Sequence, residues 1–105
     1  MDWSARVKAW AEERNLIDGS TPERQLVKLQ EEMDELTEAI EQGDVEGAVD
    51  AIGDTAVVLR IIAAQLEVPW YACLESAWIE IKDRKGKMVD GLFVKETAAE
   101  AKAEE

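Results

Sequence analysis

Between Thr21 and Leu66 the chain specifies two long helices joined by a tight turn. Thr21, Pro22 and Glu23 make a helix start: a capping hydroxyl, a proline at the first helical position, and an acid in the first turn. From there Leu26, Leu29, Met33, Leu36 and Ile40 step by three and four, the period of an amphipathic helix running to about Gln42. Gly43 suits its C-terminal cap, and Asp44 can cap the next helix. That helix, over about 44–66, mixes acids with apolar residues as far as Asp54. Beyond it, TAVVLRIIAAQL is apolar nearly all round, the character of a central helix or of one shared with a partner subunit. Such a hairpin commits the chain to helical packing.

The flanking segments extend the pattern. Residues 3–14 place Trp3, Val7 and Trp10 at helical spacing, and NLIDGS (15–20) breaks it. After VPW (68–70), Trp70, Leu74, Ala77 and Ile81 mark a fourth helix to about Asp83, in which Cys73 reads as a packed thiol. KGK and DG (85–91) interrupt it, and LFVKE (92–96) reads as a short extended or turn-like segment. The expectation is an all-α, four-helix bundle-like domain over residues 1–96. The acidic Ala/Glu/Lys tail at 97–105 has helix propensity but little to bury, and is expected to fray.

The net charge is −12, and only −2 of it lies in the tail, so the body carries −10. A body this acidic argues against a nucleic-acid polymer as partner, because that affinity rests on neutralising phosphates. A small phosphate-bearing ligand fits only if cations accompany it. One cysteine allows no intrachain disulfide. With no cationic-apolar leader and no apolar run near 18 residues, a soluble, cytoplasmic protein without membrane contact is expected.

The placement of the carboxylates is more informative than their number. At about 100° per residue, Glu32 falls at the edge of the apolar face of the second helix, and Glu35 about 60° further out. Glu31 and Glu38 lie beyond, towards solvent, and their roles stay open. On the third helix Glu46, Asp50 and Asp54 fall four apart on a stripe that continues into Val57 and Ile61. A solvated face would stay polar; this one runs into buried-type residues. Like charges at this spacing cost about 0.2–0.5 kcal/mol per pair even when exposed. Near a core, desolvation adds roughly several kcal/mol per unpaired ion. Cations must compensate, and Lys28, one turn before Glu32, is a candidate.

Hard divalent cations prefer oxygen ligands, and Mg²⁺ commonly combines a few carboxylates with water and substrate phosphates. The chain has no histidine, which disfavours a di-iron site built on Glu-x-x-His and most zinc sites, and excludes histidine-dependent nucleophile systems. Metal-bridging carboxylates serve best where water attacks phosphorus. The basic run KDRKGK (82–87) then gains a role, because Lys82, Arg84, Lys85 and Lys87 can reach outer phosphates. Taken alone, the run is a charged helix end that favours the dipole.

These residues resemble a known family. EEMDE (31–35) followed by DAIGD (50–54) resembles the EExxE…ExxD signature of the MazG-like nucleotide pyrophosphohydrolases. WAEERNLIDGST, KLQEEMDEL, DAIGDTAVVL and EIKDRKGKMVDG, in that order, are similar to the short, phage-type members, over residues 3–95. The resemblance implies an all-α bundle that hydrolyses nucleoside triphosphates, deoxynucleotides foremost, to monophosphate and pyrophosphate. It implies Mg²⁺ as cofactor, with Mn²⁺ as a substitute, and a homodimer or homotetramer whose active sites are completed across subunits. The motif's metal-binding Glu pair falls on Glu32 and Glu35, and its terminal Asp on Asp54. Glu31 matches the first Glu, placed in water activation or around the metal ligands; Glu31 or Glu35 would orient or deprotonate the attacking water. The family acid three residues before the Asp is replaced by Ala51, and Asp50, on nearly the same face, is the substitute ligand. Some relatives carry an Asn near the segment that reads WIEIK here, where this chain has Ile79.

Two other readings belong beside this one. Trp3, Trp10, Trp70 and Trp78 suit a core or interface better than a stacking platform, with Trp78, near the basic run, the first choice if one stacks on a nucleobase. The whole chain can also be an inactive helical interaction module that keeps the fold without needing a metal.

Overall fold

In the computed structural model, which describes residues 1–103, the first three helices start at side chains that cap them. α1 (Trp3–Glu13) is capped by Asp2, whose Oδ1 accepts from the Ala5 amide at 3.1 Å. α2 (Pro22–Gln42) begins after Thr21, whose hydroxyl accepts from the Arg24 amide at 3.2 Å. It ends at Gly43, left-handed at φ 66°, a conformation that glycine adopts without steric cost. Asp44 then accepts from the Gly47 amide at 2.9 Å and opens α3 (Val45–Gln65). α4 covers Trp70–Ile81. These boundaries match the capping and periodicity read from the sequence to within two residues.

The chain divides into two compact units, Met1–Cys73 and a second beginning at Leu74. In the first, α3 packs against both α2 and α1. The buried residues are small or branched: Ala11 on α1, Ala39 on α2, and Ala51, Val58, Ile61 and Ala63 on α3. Alanines at the contacts let helix axes approach closely, since interaxial distance follows the side chains between them. Gln65 fastens the α1–α2 connection by donating to the Leu16 and Ile17 carbonyls at 3.5 and 3.4 Å.

The face α2 turns inward differs from the one its leucines suggest. The residues withdrawn from solvent are Pro22, Gln25, Leu29, Glu32, Leu36 and Ala39, while Leu26, Met33 and Ile40 stay exposed. Glu32 therefore lies in the middle of the packed stripe rather than at its edge, at 4% exposure. On α3, Val45, Val49, Ile52 and Leu59 also remain exposed.

The second unit supplies the departure from an all-α chain. β1 (Gly86–Val89) and β2 (Leu92–Lys95) pair antiparallel, with Val89 opposite Leu92 and a two-residue loop, Asp90–Gly91. Both loop residues have positive φ, 50° and 81°, the primed-turn geometry that Asp-Gly favours because it matches strand twist. Residues 85–91, where the sequence interrupts the helical pattern, thus contain one strand and the turn. LFVKE is the extended partner. Every residue of both strands is exposed, and α4 buries none of its residues. Cys73 is exposed as well, with its thiol 3.9 Å from the Pro69 carbonyl. Its expected packing is absent from the single chain because α4 has no buried face. The tail at 97–105, expected to fray, forms α5 over Ala98–Ala103; Glu104 and Glu105 lie outside the described residues.

Candidate metal centre

The α2–α3 hairpin brings together carboxylates that lie about twenty residues apart in sequence. One oxygen from each of Glu32, Glu35 and Asp54 lies within 4.8 Å of the other two. Glu32 comes from the packed stripe of α2. Glu35 follows three residues later, and Asp54 stands on α3 one turn from the buried Ala51 and Val58. Glu32 is buried, whereas Glu35 and Asp54 are open to solvent.

The electrostatics are those of an acid cluster short of cations. Lys28 Nζ sits 3.2 Å from Glu32 Oε1 and 3.3 Å from Glu31 Oε2. Those two hydrogen bonds and the accompanying charges raise the Lys28 pKa above its ordinary value. Glu32 Oε2 is buried and has no hydrogen-bond partner. Glu35 is held above the usual carboxylate range by hydrogen bonding to Glu32, then by the Glu32 charge, against the pull of Lys28. Asp54 is raised first by desolvation, then by the charges of Glu32 and Asp50, again against Lys28. One ammonium faces three carboxylates, and the deficit shows as pKa values pushed towards the neutral form.

This donor set fits a hard divalent cation. All three groups offer oxygen, none offers sulfur or nitrogen, and the orphaned Glu32 Oε2 is an acceptor whose burial costs free energy until something occupies it. The cluster can hold a metal ion, and Glu32, Glu35 and Asp54 are the residues that would hold it.

The other residues singled out from the sequence fall in different places. Asp50 is exposed and outside the three-carboxylate cluster, though its charge acts on Asp54. Glu31 is exposed and paired with Lys28. Ala51, at the family's acid position, is 3% exposed and part of the α2–α3 packing. Trp78, Lys82, Arg84, Lys85 and Lys87 belong to the second unit. There Trp78 is exposed and Arg84 pairs with Glu80 at 3.1 Å. Within that unit Arg84, Lys85 and Lys87, with Phe93, Glu96 and Glu100, line an open hollow of about 770 Å³ beside the β1–β2 pair. Trp10, weighed as a stacking platform, is covered by Arg14, whose guanidinium carbon lies 4.6 Å from the ring centroid. The central position of Glu32 was hidden because Gln25 and Ala39, which share its stripe, are not residues that hydrophobic periodicity weighs. The signal was present in the small residues Ala39 and Ala51, which let the helices close around an acid.

A hairpin of two long helices with a carboxylate cluster between them defines a class: helical proteins with an acidic motif able to hold a divalent cation. The model of the phosphoribosyl-ATP pyrophosphohydrolase family matches residues 9–78, and the chain belongs to that family, within the MazG-like, all-α superfamily that the sequence resembles. A similar curated protein is an uncharacterized 18.2 kDa protein in the rep-hol intergenic region of Haemophilus phage HP1 (strain HP1c1), 42% identical over 59 residues. The match takes in 56% of this chain and 36% of that protein, so the chain spans about a third of its relative's length. No solved structure matches. No helix among the described residues is long and apolar enough to cross a membrane.

Proposed function

We propose that the protein is a Mg²⁺-dependent pyrophosphohydrolase that cleaves nucleoside triphosphates, deoxynucleotides foremost, to the monophosphate and pyrophosphate. One observation carries the reading: a buried glutamate with an orphaned oxygen, faced by two further carboxylates on an otherwise alanine-packed hairpin. A purely structural hairpin would fill this position with an apolar side chain, because an unpaired buried acceptor is costly. Membership of a family named for pyrophosphate release supplies the reaction class.

Glu32, Glu35 and Asp54 would hold the cation, with Asp50 assisting from the next turn. When bound, Mg²⁺ (or Mn²⁺ in its place) lowers the pKa of water and neutralises phosphate charge. The protein's own groups do the rest. Glu35, which is open to solvent, can accept a proton from a water directed at the α-phosphate. Glu31, tied to Lys28, can orient that water or steady Glu35. Lys28 supplies positive charge beside the cluster, and the leaving pyrophosphate requires more than one cation. Lys82, Arg84, Lys85 and Lys87 are the further candidates for the outer phosphates, with Trp78 the candidate surface for the base. The reaction belongs in the cytoplasm, with its nucleotides, and would cleanse or rebalance their pool.

The working form is a homo-oligomer, a dimer or tetramer. Val45, Val49, Ile52 and Leu59 form an exposed apolar stripe on α3, and Leu26, Met33 and Ile40 recur on α2 at seven-residue intervals, the spacing of a helix–helix seam. Their combined exposed surface is several hundred Å², on the order of one partner's share, about 800 Å², of a stable interface.

The test is product analysis with each common dNTP and NTP and with phosphoribosyl-ATP, in Mg²⁺ and in EDTA, for the wild type and Glu35→Gln. Mg²⁺-dependent monophosphate plus pyrophosphate, lost in the variant, is the expected result. Turnover of phosphoribosyl-ATP alone would correct the substrate. A folded protein that turns over nothing would leave the inactive interaction module as the reading.

A further inference from the structure

We propose that Lys28 is a tethered counter-ion: it holds Glu32 in the metal-free protein, is displaced when a divalent cation arrives, and then binds the phosphate chain of the substrate. The inference rests on the metal reading above and extends it. Lys28 Nζ bonds Glu32 Oε1 at 3.2 Å, while the buried Glu32 Oε2 has no hydrogen-bond partner. Among the described residues, no other Lys or Arg forms an ion pair with Glu32, Glu35 or Asp54. A single ammonium therefore stands where a divalent ion would bring twice the charge. A cation seated on Glu32 would repel an ammonium this close, and the stronger charge keeps the oxygen.

Lysine suits such an exchange better than arginine. Its ammonium is a compact charge on a flexible four-carbon stem, with no planar fork to lock it onto one carboxylate. The Lys28 side chain is 54% exposed, so its far end can swing without disturbing the packed stripe. Its second partner, Glu31, is 60% exposed and binds it from the solvent side, which gives the displaced ammonium a resting place close to the cluster. From there it would reach a phosphate chain bound beside the cluster.

The experiment follows the two ligands separately, because the proposal predicts opposite signs. Mn²⁺ alone is titrated into wild type, Lys28→Met, Lys28→Gln and, as a control of equal net charge, Lys8→Met, whose lysine pairs with Glu12 on α1 at 3.7 Å. Free Mn²⁺ is read by electron paramagnetic resonance. Both Lys28 variants should bind Mn²⁺ about three- to tenfold more tightly at low salt, the scale of one unit charge acting on a divalent ion near a surface; Lys8→Met should match the wild type. An α,β-imido nucleoside triphosphate with saturating Mg²⁺ should bind the Lys28 variants about tenfold more weakly. Weaker or unchanged Mn²⁺ binding in both Lys28 variants would overturn the exchange, since a merely structural lysine lowers both affinities. Unchanged nucleotide binding would overturn the phosphate half. A wild type that binds no Mn²⁺ would instead overturn the metal reading itself.

Discussion

Asp54→Asn should stabilise the metal-free protein while removing its response to Mg²⁺. Asp54 lies within 4.8 Å of Glu32 and Glu35; desolvation and then the charges of Glu32 and Asp50 act against its ionised form, and Lys28 acts for it. Two unit charges about 4–5 Å apart interact by about 1 kcal/mol at the dielectric of water. Asp54 is exposed, so that screened value applies rather than an interior one. Two repulsions offset in part by one attraction leave about 1 kcal/mol, and the amide is nearly the same size as the carboxyl it replaces. For a domain of about 100 residues this raises Tm by roughly 4 °C or somewhat more. Thermal melts at one protein concentration, in EDTA and in Mg²⁺, provide the assay. In Mg²⁺ the wild type should gain about 1.4 kcal/mol at ten times Kd, and the variant far less. The two proteins would then exchange order between the conditions. Should Asp54→Asn melt lower than wild type in EDTA, Asp54 would be a stabilising structural acid and the reasoning would fail.

The same charges set a pH dependence. Glu35 and Asp54 have raised pKa values in the folded state, so the native protein binds protons more tightly than the unfolded chain there. The strain is absent below the unfolded values near 4 and fully present once pH exceeds the raised native ones. Metal-free protein should therefore melt higher at pH 5 than at pH 7, with a flatter slope for Asp54→Asn. Lys28, also raised, contributes stability that is lost only as pH climbs past its native value, above 10.5, and leaves this window untouched. An equal slope in wild type and Asp54→Asn would remove the cluster as its source. For assembly, Ile52→Glu should convert the oligomer to monomer in light scattering coupled to size exclusion. Ile52 is 58% exposed in the single chain, so the substitution should leave helix content by circular dichroism unchanged. An unaltered mass would mean that this face of α3 is not the contact.

Most of the helical frame was legible because its punctuation is local. Thr21 with Pro22, Gly43 and Asp44 act within one turn of themselves: Thr21 and Asp44 accept from helix amides, the Gly43 amide donates to the last turn of α2, and Pro22 stands where no amide donor is needed. The strand pair was less legible. Gly86–Val89 has no apolar alternation, and its partner is fixed by the Asp90–Gly91 turn rather than by any burial pattern. The fourth helix shows the limit differently: Trp70, Leu74, Ala77 and Ile81 are correctly spaced, yet α4 buries nothing in one chain. Periodicity says that a face will be covered and is silent about which chain covers it. For the site, helical spacing brought Glu32, Glu35 and Asp54 to attention, but only the packing shows Glu32 in the centre of the hairpin.

That central position explains the composition of the core around it. An ionisable side chain can sit between two helices only if its neighbours are small enough to let the backbones close on either side. Ala39 follows Glu32 on the packed face of α2, and Ala51 precedes Asp54 on α3; both are nearly inaccessible. An acid at position 51 would add a fourth carboxylate at the place where the helices pack, increasing the repulsion that already raises Glu35 and Asp54. Alanine there keeps the hairpin closed, and Asp50 places its charge one residue away on the exposed side. The same choice leaves a thin core, since alanine buries little apolar surface. A chain of this size with so small a core would gain stability from covering its exposed α2 and α3 stripes, so the proposed oligomer and the proposed carboxylate site make linked demands on the same two helices.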